Sequence, residues 1–229
     1  LEQIPSPYLL GMFPNPQQNW IPIMETTRGC PYACTFCDLG ALNHNKVYKT
    51  ELGRVQEELD WLVENKLSSF YYVDNNFGLF KDRDDTIVDM VIASKEKHGY
   101  PKSFFVNWAK NHKEEFINMA KKLYDADVLQ SITLSLQTRN EEALEIIKRK
   151  TMNINDISFY TDMCKQVGLP YSTELMLGNP GETVDSWKDG YIEVVADGIS
   201  CDIYAVALLP GAELASEASF VNRERVRNP

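Results

Sequence analysis

The tightest constraint on this chain is one short stretch, Cys30-Pro31-Tyr32-Ala33-Cys34-Thr35-Phe36-Cys37. Its three thiols lie on a loop entered through Gly29, after an apolar run. A thiolate is a soft ligand that suits zinc or an iron–sulfur cluster. Structural zinc sites and ferredoxin-type clusters take four protein ligands. Here the local group stops at three. Around a four-iron cluster, three cysteines leave one iron without a protein ligand and open to a small molecule. The competing reading is a zinc site completed by His44, Cys164 or Cys201.

The rest of the chain has the means to build a scaffold for such a loop. With 229 residues, 44% hydrophobic and 24% charged, it is long enough for one sizeable core. Five cysteines, three of them clustered, do not resemble a disulfide framework and suit a reducing compartment, so a cytoplasmic protein is expected. The net charge of −10 argues against nucleic acid as a partner. The run Lys148-Arg149-Lys150 reads either as a local basic patch or as the solvated end of a helix. No signal stretch and no run of about 18 apolar residues supports a membrane partner. The chain starts at Leu1 and ends in a charged run at Pro229, so it reads as a piece of a longer protein. The expected organisation is a Pro-rich extended linker from a missing upstream domain over 1–20, a core domain over 21–215, and the start of a missing C-terminal extension over 216–229.

Within the core, strand and helix patterns alternate. Strands are expected over 21–25, 69–73, 103–108, 130–137, 171–177 and 202–209. Helices are expected over 51–66 with Thr50 as N-cap, near 86–97, around Phe116 to Leu123, over 141–148, and from Ile154 to a stop at Gly168 and Pro170. A further helix is expected after Thr183, its proposed cap. Six strands, nearly all followed by helices, imply a parallel sheet with helices outside. In such folds the chemistry gathers at the carboxyl ends of the strands. The cysteine loop, Asp74-Asn75-Asn76, Gln137 and the segment from Gly178 to Glu182 all fall at those ends.

The Cys-x-x-x-Cys-x-Phe-Cys spacing and the lead-in Thr26-Thr27-Arg28-Gly29 resemble the radical S-adenosylmethionine (SAM) superfamily. The resemblance implies an α/β fold, a parallel six-unit partial (β/α)6 barrel. It implies a 4Fe–4S cluster on Cys30, Cys34 and Cys37, with SAM chelating the open iron and being cleaved reductively to a 5′-deoxyadenosyl radical. By the same resemblance Phe36 and Met176 or Leu177 lie by adenine. Ser135 and Gln137 face ribose or the methionine carboxylate, and Arg149 pairs with that carboxylate. Where many members carry Gly-Gly-Glu for the SAM amino group, this chain has Asp74-Asn75-Asn76. That sequence is similar to the variant of the cobalamin-linked and methylthiotransferase-like branches. Ile4-Pro5-Ser6-Pro7-Tyr8-Leu9 also resembles the segment that joins a cobalamin-binding domain to a radical SAM domain. It points to cobalamin in a domain outside this chain and to methyl transfer.

The expected partners are a small-molecule substrate and a reductant such as flavodoxin or ferredoxin. Phe105, Asn107 and Trp108 are candidates to face the barrel interior, although strand alternation alone does not choose between the two faces. Two rivals from other classes stand beside this reading. One is a zinc-stapled binding module using Cys30, Cys34, Cys37 and His44. The other is an electron-transfer iron–sulfur protein with a fourth cysteine. For that ligand Cys164, inside an apolar helical stripe, and Cys201, at the start of the sixth strand, are poorly placed.

Overall fold

The aromatic-rich segment Ser69–Phe77 is a nine-residue strand whose side chains alternate between two faces. Phe70 and Tyr72 are buried on one face of Ser69–Phe77, while Tyr71 and Val73 are partly exposed on the other. The structure, a computed structural model, describes residues 1, 3–39, 45–109, 113–149 and 154–216. In chain order its strands are β1 (Ile23–Met24), β2 (Thr27–Arg28), β3 (Tyr48–Lys49), β4 (Ser69–Phe77), β5 (Ser103–Trp108), β6 (Ile132–Gln137), β7 (Tyr171–Leu177) and β8 (Ser200–Ala205). Its helices are α1 (Leu52–Glu64), α2 (Lys81–His98), α3 (Lys113–Asp125), α4 (Glu141–Ile146), α5 (Ile154–Val167) and α6 (Val184–Ala196).

These elements fall into two units. The first comprises Leu1–Arg28 and Val47–Ile132; the second comprises the described residues of Gly29–Lys46 and those from Thr133 onward. In the first unit β1, β4 and β5 form a parallel sheet in that order, and β2 and β3 form a short antiparallel ribbon. Its core is aromatic: Phe70 stands 5.2 Å from Phe104, Phe77 5.5 Å from Trp108, and Trp108 5.0 Å from Phe116, ring centre to ring centre. Such tilted and edge-on pairs are the favoured geometries for rings. Val55, Leu59 and Leu62 of α1 and Ile87, Val88 and Val91 of α2 bury their apolar stripes. Trp108 therefore belongs to the core. Phe105 and Asn107 are exposed on the opposite side of β5, where the Tyr71 hydroxyl donates to Asn107 Oδ1 at 3.0 Å.

In the second unit the sheet order is β6-β7-β8, with β7 and β8 parallel and Glu174 in register with Asp202. Thr183 caps α6 as expected, in a reciprocal capping box with Ser186. Asn140 caps α4 by accepting from Ala143 N at 2.9 Å.

Several expectations need correction, and one is the sixth strand, which is Ser200–Ala205 and not 202–209. Thr50 does not cap α1. The N-cap is Glu51, whose side chain makes no capping hydrogen bond, while the Thr50 hydroxyl donates to the Glu25 carbonyl at 3.3 Å. β4 does not stop at Val73 but runs through Asp74, Asn75 and Asn76 to Phe77, because Asp74 finds hydrogen-bond donors within the unit. α2 starts at Lys81, five residues ahead of its first expected residue. Asp82 and Asp84 in its first turn suit the positive end of a helix, a signal that apolar periodicity overlooks.

Residues 1–20 are also not an extended strip. The Tyr8 ring packs 4.7 Å from Trp61 on α1, and Arg54 donates to the Ile4 carbonyl at 2.5 Å. The Tyr8 hydroxyl accepts from Ile23 N at 3.1 Å and donates to Ile23 O at 2.6 Å, so it closes the open edge of β1 much as a neighbouring strand would. Replacing Tyr8 with Phe is expected to destabilise the protein by about 1 kcal/mol, since water reaches the freed groups. Tyr8→Ala, which also loses the packing on Trp61, should cost about 3 kcal/mol. Denaturant unfolding checks both values, and equal costs would mean that packing contributes nothing.

Candidate active site

The cysteine loop belongs to the second unit. Cys30, Cys34 and Cys37 are of intermediate exposure, and none of them is in a disulfide. Cys37 N donates to Cys34 O at 3.1 Å, which folds their segment into a turn. The loop is anchored by its backbone at Thr35, the buried residue between them. Thr35 N donates to Ile147 O at 3.1 Å, and Thr35 O accepts from Leu214 N at 2.7 Å. Burial pushes the Cys37 thiol upward.

The turn that anchors Thr35 also delivers Arg149. Lys148 adopts φ +54, which turns its ammonium outward to Glu213 at 2.6 Å and sends the next side chain inward. Arg149 is only 6% exposed. Its Nη2 donates to Ser135 O at 2.8 Å and its Nη1 to Cys34 Sγ at 3.8 Å, while Nε is buried with no partner. The basic run is therefore not a solvated patch at Arg149; Lys150 lies outside the described residues.

Ser135 donates to Glu174 Oε2 at 3.0 Å, linking the middle of β6 to the middle of β7. Gln137 closes β6, buried and at φ +77, a left-handed conformation that costs a non-glycine residue about 1–2 kcal/mol. Strain of this kind concentrates at functional sites. Met176 is buried, and its carbonyl accepts from Trp187 Nε1 at 2.9 Å and Asn179 Nδ2 at 3.1 Å. Leu177 is 46% exposed and Phe36 is partly exposed. The turn after β7 needs glycine at 181: φ is +83, and a Cβ there would lie 2.6 Å from Ile146 Cδ1. Glu182 accepts from the Thr138 hydroxyl at 2.5 Å, with burial pushing its carboxyl upward.

Asp74, Asn75 and Asn76 belong to the first unit. Asp74 is fully buried and its carboxylate accepts from Thr26 N at 2.7 Å, from Thr27 N at 3.0 Å and from the Thr26 hydroxyl. Burial pushes this carboxyl up to about 6 against the opposing pull of those bonds. Arg83 donates to Thr26 O at 3.1 Å and Thr50 O at 2.7 Å, tying down the same segment. Asn76 is buried like Asp74, and Asn75 is the member of the trio that the strand leaves partly exposed on its other face.

Within the second unit the fold gathers Cys34, Ser135 and Arg149 from distant parts of the chain. It also adds Glu174, which the sequence reading passed over. The available signal was polar alternation in Ser172 and Glu174 along β7. Among the described residues no three His, Cys, Asp or Glu side chains surround a point where a single ion would sit. His44, the proposed fourth zinc ligand, lies outside the described residues. Cys164 is fully buried, its thiol pushed up to about 12 by burial, and Cys201 lies in β8. Among the described residues no helix is long and apolar enough to cross a membrane.

The sequence model of the radical SAM superfamily matches residues 24–190. The cobalamin-dependent radical SAM methyltransferase TokK of Streptomyces tokunonensis is 32% identical over 219 residues, which cover 92% of this chain and 32% of that protein. The 2-(S-pantetheinyl)-carbapenam-3-carboxylate methyltransferase of Streptantibioticus cattleyicolor is 32% identical over 221 residues, 93% of this chain and 32% of that protein. This chain thus spans about a third of the length of the curated relatives it matches. The structure of the methyltransferase TsrM from Kitasatospora setae, with tryptophan and a SAM analogue, superposes with a TM-score of 0.73 at 17% identity. That match covers 89% of this chain and 39% of the other. The fold is accordingly α/β with parallel strands, of the partial-barrel type of these enzymes.

Proposed function

The chain belongs to the radical SAM superfamily, and from that premise we propose that it is the radical-generating core of a cobalamin-dependent methyltransferase. The observation that carries this reading is a loop of three cysteines outside any disulfide, anchored through Thr35, beside a buried guanidinium with one nitrogen unpartnered among the described residues. Both features fit the expected groups. Three thiolates are the right donors for a four-iron cluster with one open iron. The buried Arg149 Nε is a donor awaiting an anionic oxygen, as the carboxylate of SAM offers.

Bound there, a 4Fe–4S cluster with SAM supplies one-electron reduction and a 5′-deoxyadenosyl radical able to take hydrogen from an inert carbon. The chain's own residues do the holding and orienting. Cys30, Cys34 and Cys37 ligate the cluster, and Arg149 fixes the carboxylate. Ser135, Gln137 and Glu174 offer polar groups to ribose hydroxyls, while Phe36 and either Met176 or Leu177, which alternate on β7, give adenine an apolar surface. Within the first unit Asp74 serves the Thr26-Thr27 lead-in, and Asn75 keeps a partly exposed amide. Methyl transfer is supported by the named activities of both curated relatives, and cobalamin, held outside this chain, by the name of the first. A small-molecule substrate and a one-electron reductant of the flavodoxin or ferredoxin kind complete the reaction.

The test is anaerobic reconstitution with iron and sulfide, reduction, and electron paramagnetic resonance with and without SAM. A four-iron signal that changes when SAM is added is the expected result. A signal indifferent to SAM would turn the reading to electron transfer, and zinc with no cluster would overturn it.

A further inference from the structure

We infer that Arg149 tunes the cluster's reduction potential by donating to the Cys34 sulfur, in addition to any contact with SAM. This inference rests on the reading of the loop as a four-iron cluster site. Its first support is the division of labour within one guanidinium. Nη1 meets Cys34 Sγ at 3.8 Å, Nη2 is held by Ser135 O at 2.8 Å, and Nε stays free for another ligand. The contact to sulfur is therefore made by a separate nitrogen from the one left open. The second support is the rigidity of the mount. Arg149 N donates to Leu144 O at 2.8 Å, and the same turn accepts Thr35 N through Ile147 O at 3.1 Å. One turn thus fixes both the cation and the loop that carries the sulfur.

The third support is charge. Arg149 is 6% exposed and, among the described residues, forms no salt bridge with a carboxylate. A buried, uncompensated cation beside a ligating sulfur favours the state of the cluster with one more electron. Hydrogen bonds to cluster sulfurs and the local charge are the protein's main means of setting that potential. Arg149 should therefore raise it and make the cluster easier to reduce. Arg149 acts through Cys34 in this role, as a positioning and tuning residue.

The test is a redox titration of the reconstituted protein in the absence of SAM, comparing wild type with Arg149→Met and Arg149→Lys. The expected result is a lower midpoint potential in Arg149→Met, with Arg149→Lys in between, at unchanged iron and sulfide content. A lysine keeps the charge but cannot hold Ser135 O and Cys34 Sγ with separate fixed nitrogens. Equal potentials in all three proteins would overturn the inference. If Arg149→Met fails to hold a cluster, Arg149→Lys decides: a lowered potential supports the role and an unchanged one removes it. A wild-type protein that never forms a four-iron cluster defeats the cluster reading itself and this inference with it. A cluster with an unmoved potential defeats this inference alone.

Discussion

Replacing Cys30, Cys34 and Cys37 together with alanine is expected to remove bound iron and reduce 5′-deoxyadenosine formation to background while the protein stays folded. The two halves of that result have separate physical reasons. Activity is lost because no other donor set of this kind exists among the described residues; Cys164 is buried and Cys201 sits in β8. The fold persists because two backbone bonds anchor the loop, Thr35 N to Ile147 O and Leu214 N to Thr35 O, and both survive the substitutions. Trimming three partly exposed thiols should change stability by less than about 1 kcal/mol. Cys164→Ala makes the contrasting control. It opens a small void in the core, costs about 1–2 kcal/mol and leaves iron binding intact. Iron and sulfide quantitation, product chromatography and denaturant unfolding read all three quantities. A triple variant that still made 5′-deoxyadenosine would remove the cysteines from the mechanism.

The second large effect is expected at Asp74, and it is structural. Asp74→Ala leaves Thr26 N, Thr27 N and the Thr26 hydroxyl without their buried acceptor, which should cost about 3–5 kcal/mol. Thr27 opens β2, which leads in sequence to Gly29 and Cys30, so weakened cluster retention should accompany the loss. Asp74→Asn keeps the shape and isolates the charge. Burial lifts this carboxyl from 3.8 to about 6 in the fold. A carboxyl raised by folding stabilises most when protonated, below its unfolded value, and that contribution disappears as pH rises through the folded value. The stability of wild type relative to Asp74→Asn should therefore be highest near pH 4 and fall by roughly 3 kcal/mol by about pH 7. Asp84, another buried carboxyl raised by burial, titrates in both proteins and cancels in the difference. Denaturant unfolding of the cluster-free protein across this range is the measurement. A difference that grew with pH would show the hydrogen bonds from Thr26 and Thr27 outweighing burial.

Asp74 also shows what residue type conveys and what it hides. An Asp-Asn-Asn run after an apolar strand reads as a turn, with its polar groups free for a ligand. The strand instead continues through all three, and the period of two separates them: Asp74 and Asn76 on the buried face, Asn75 on the other. Arg149 illustrates the same point from another direction. A Lys-Arg-Lys run at a helix end looks solvated, yet the positive φ at Lys148 reverses the middle residue into the interior.

The amino-acid sequence by itself determined the cysteine loop, the order of strands and helices, the extents of β5 and β7, the Thr183 cap and the superfamily. Each of these is written in neighbouring residues, as a spacing, a period or a cap. The tertiary structure alone decided the partners. Thr26 and Asp74 meet across 48 residues, Ser135 and Glu174 across 39, and Cys34 and Arg149 across 115. Which acid holds a strand and which nitrogen reaches a sulfur depends on how strands twist and turns reverse over those distances, and local side-chain chemistry carries no record of that.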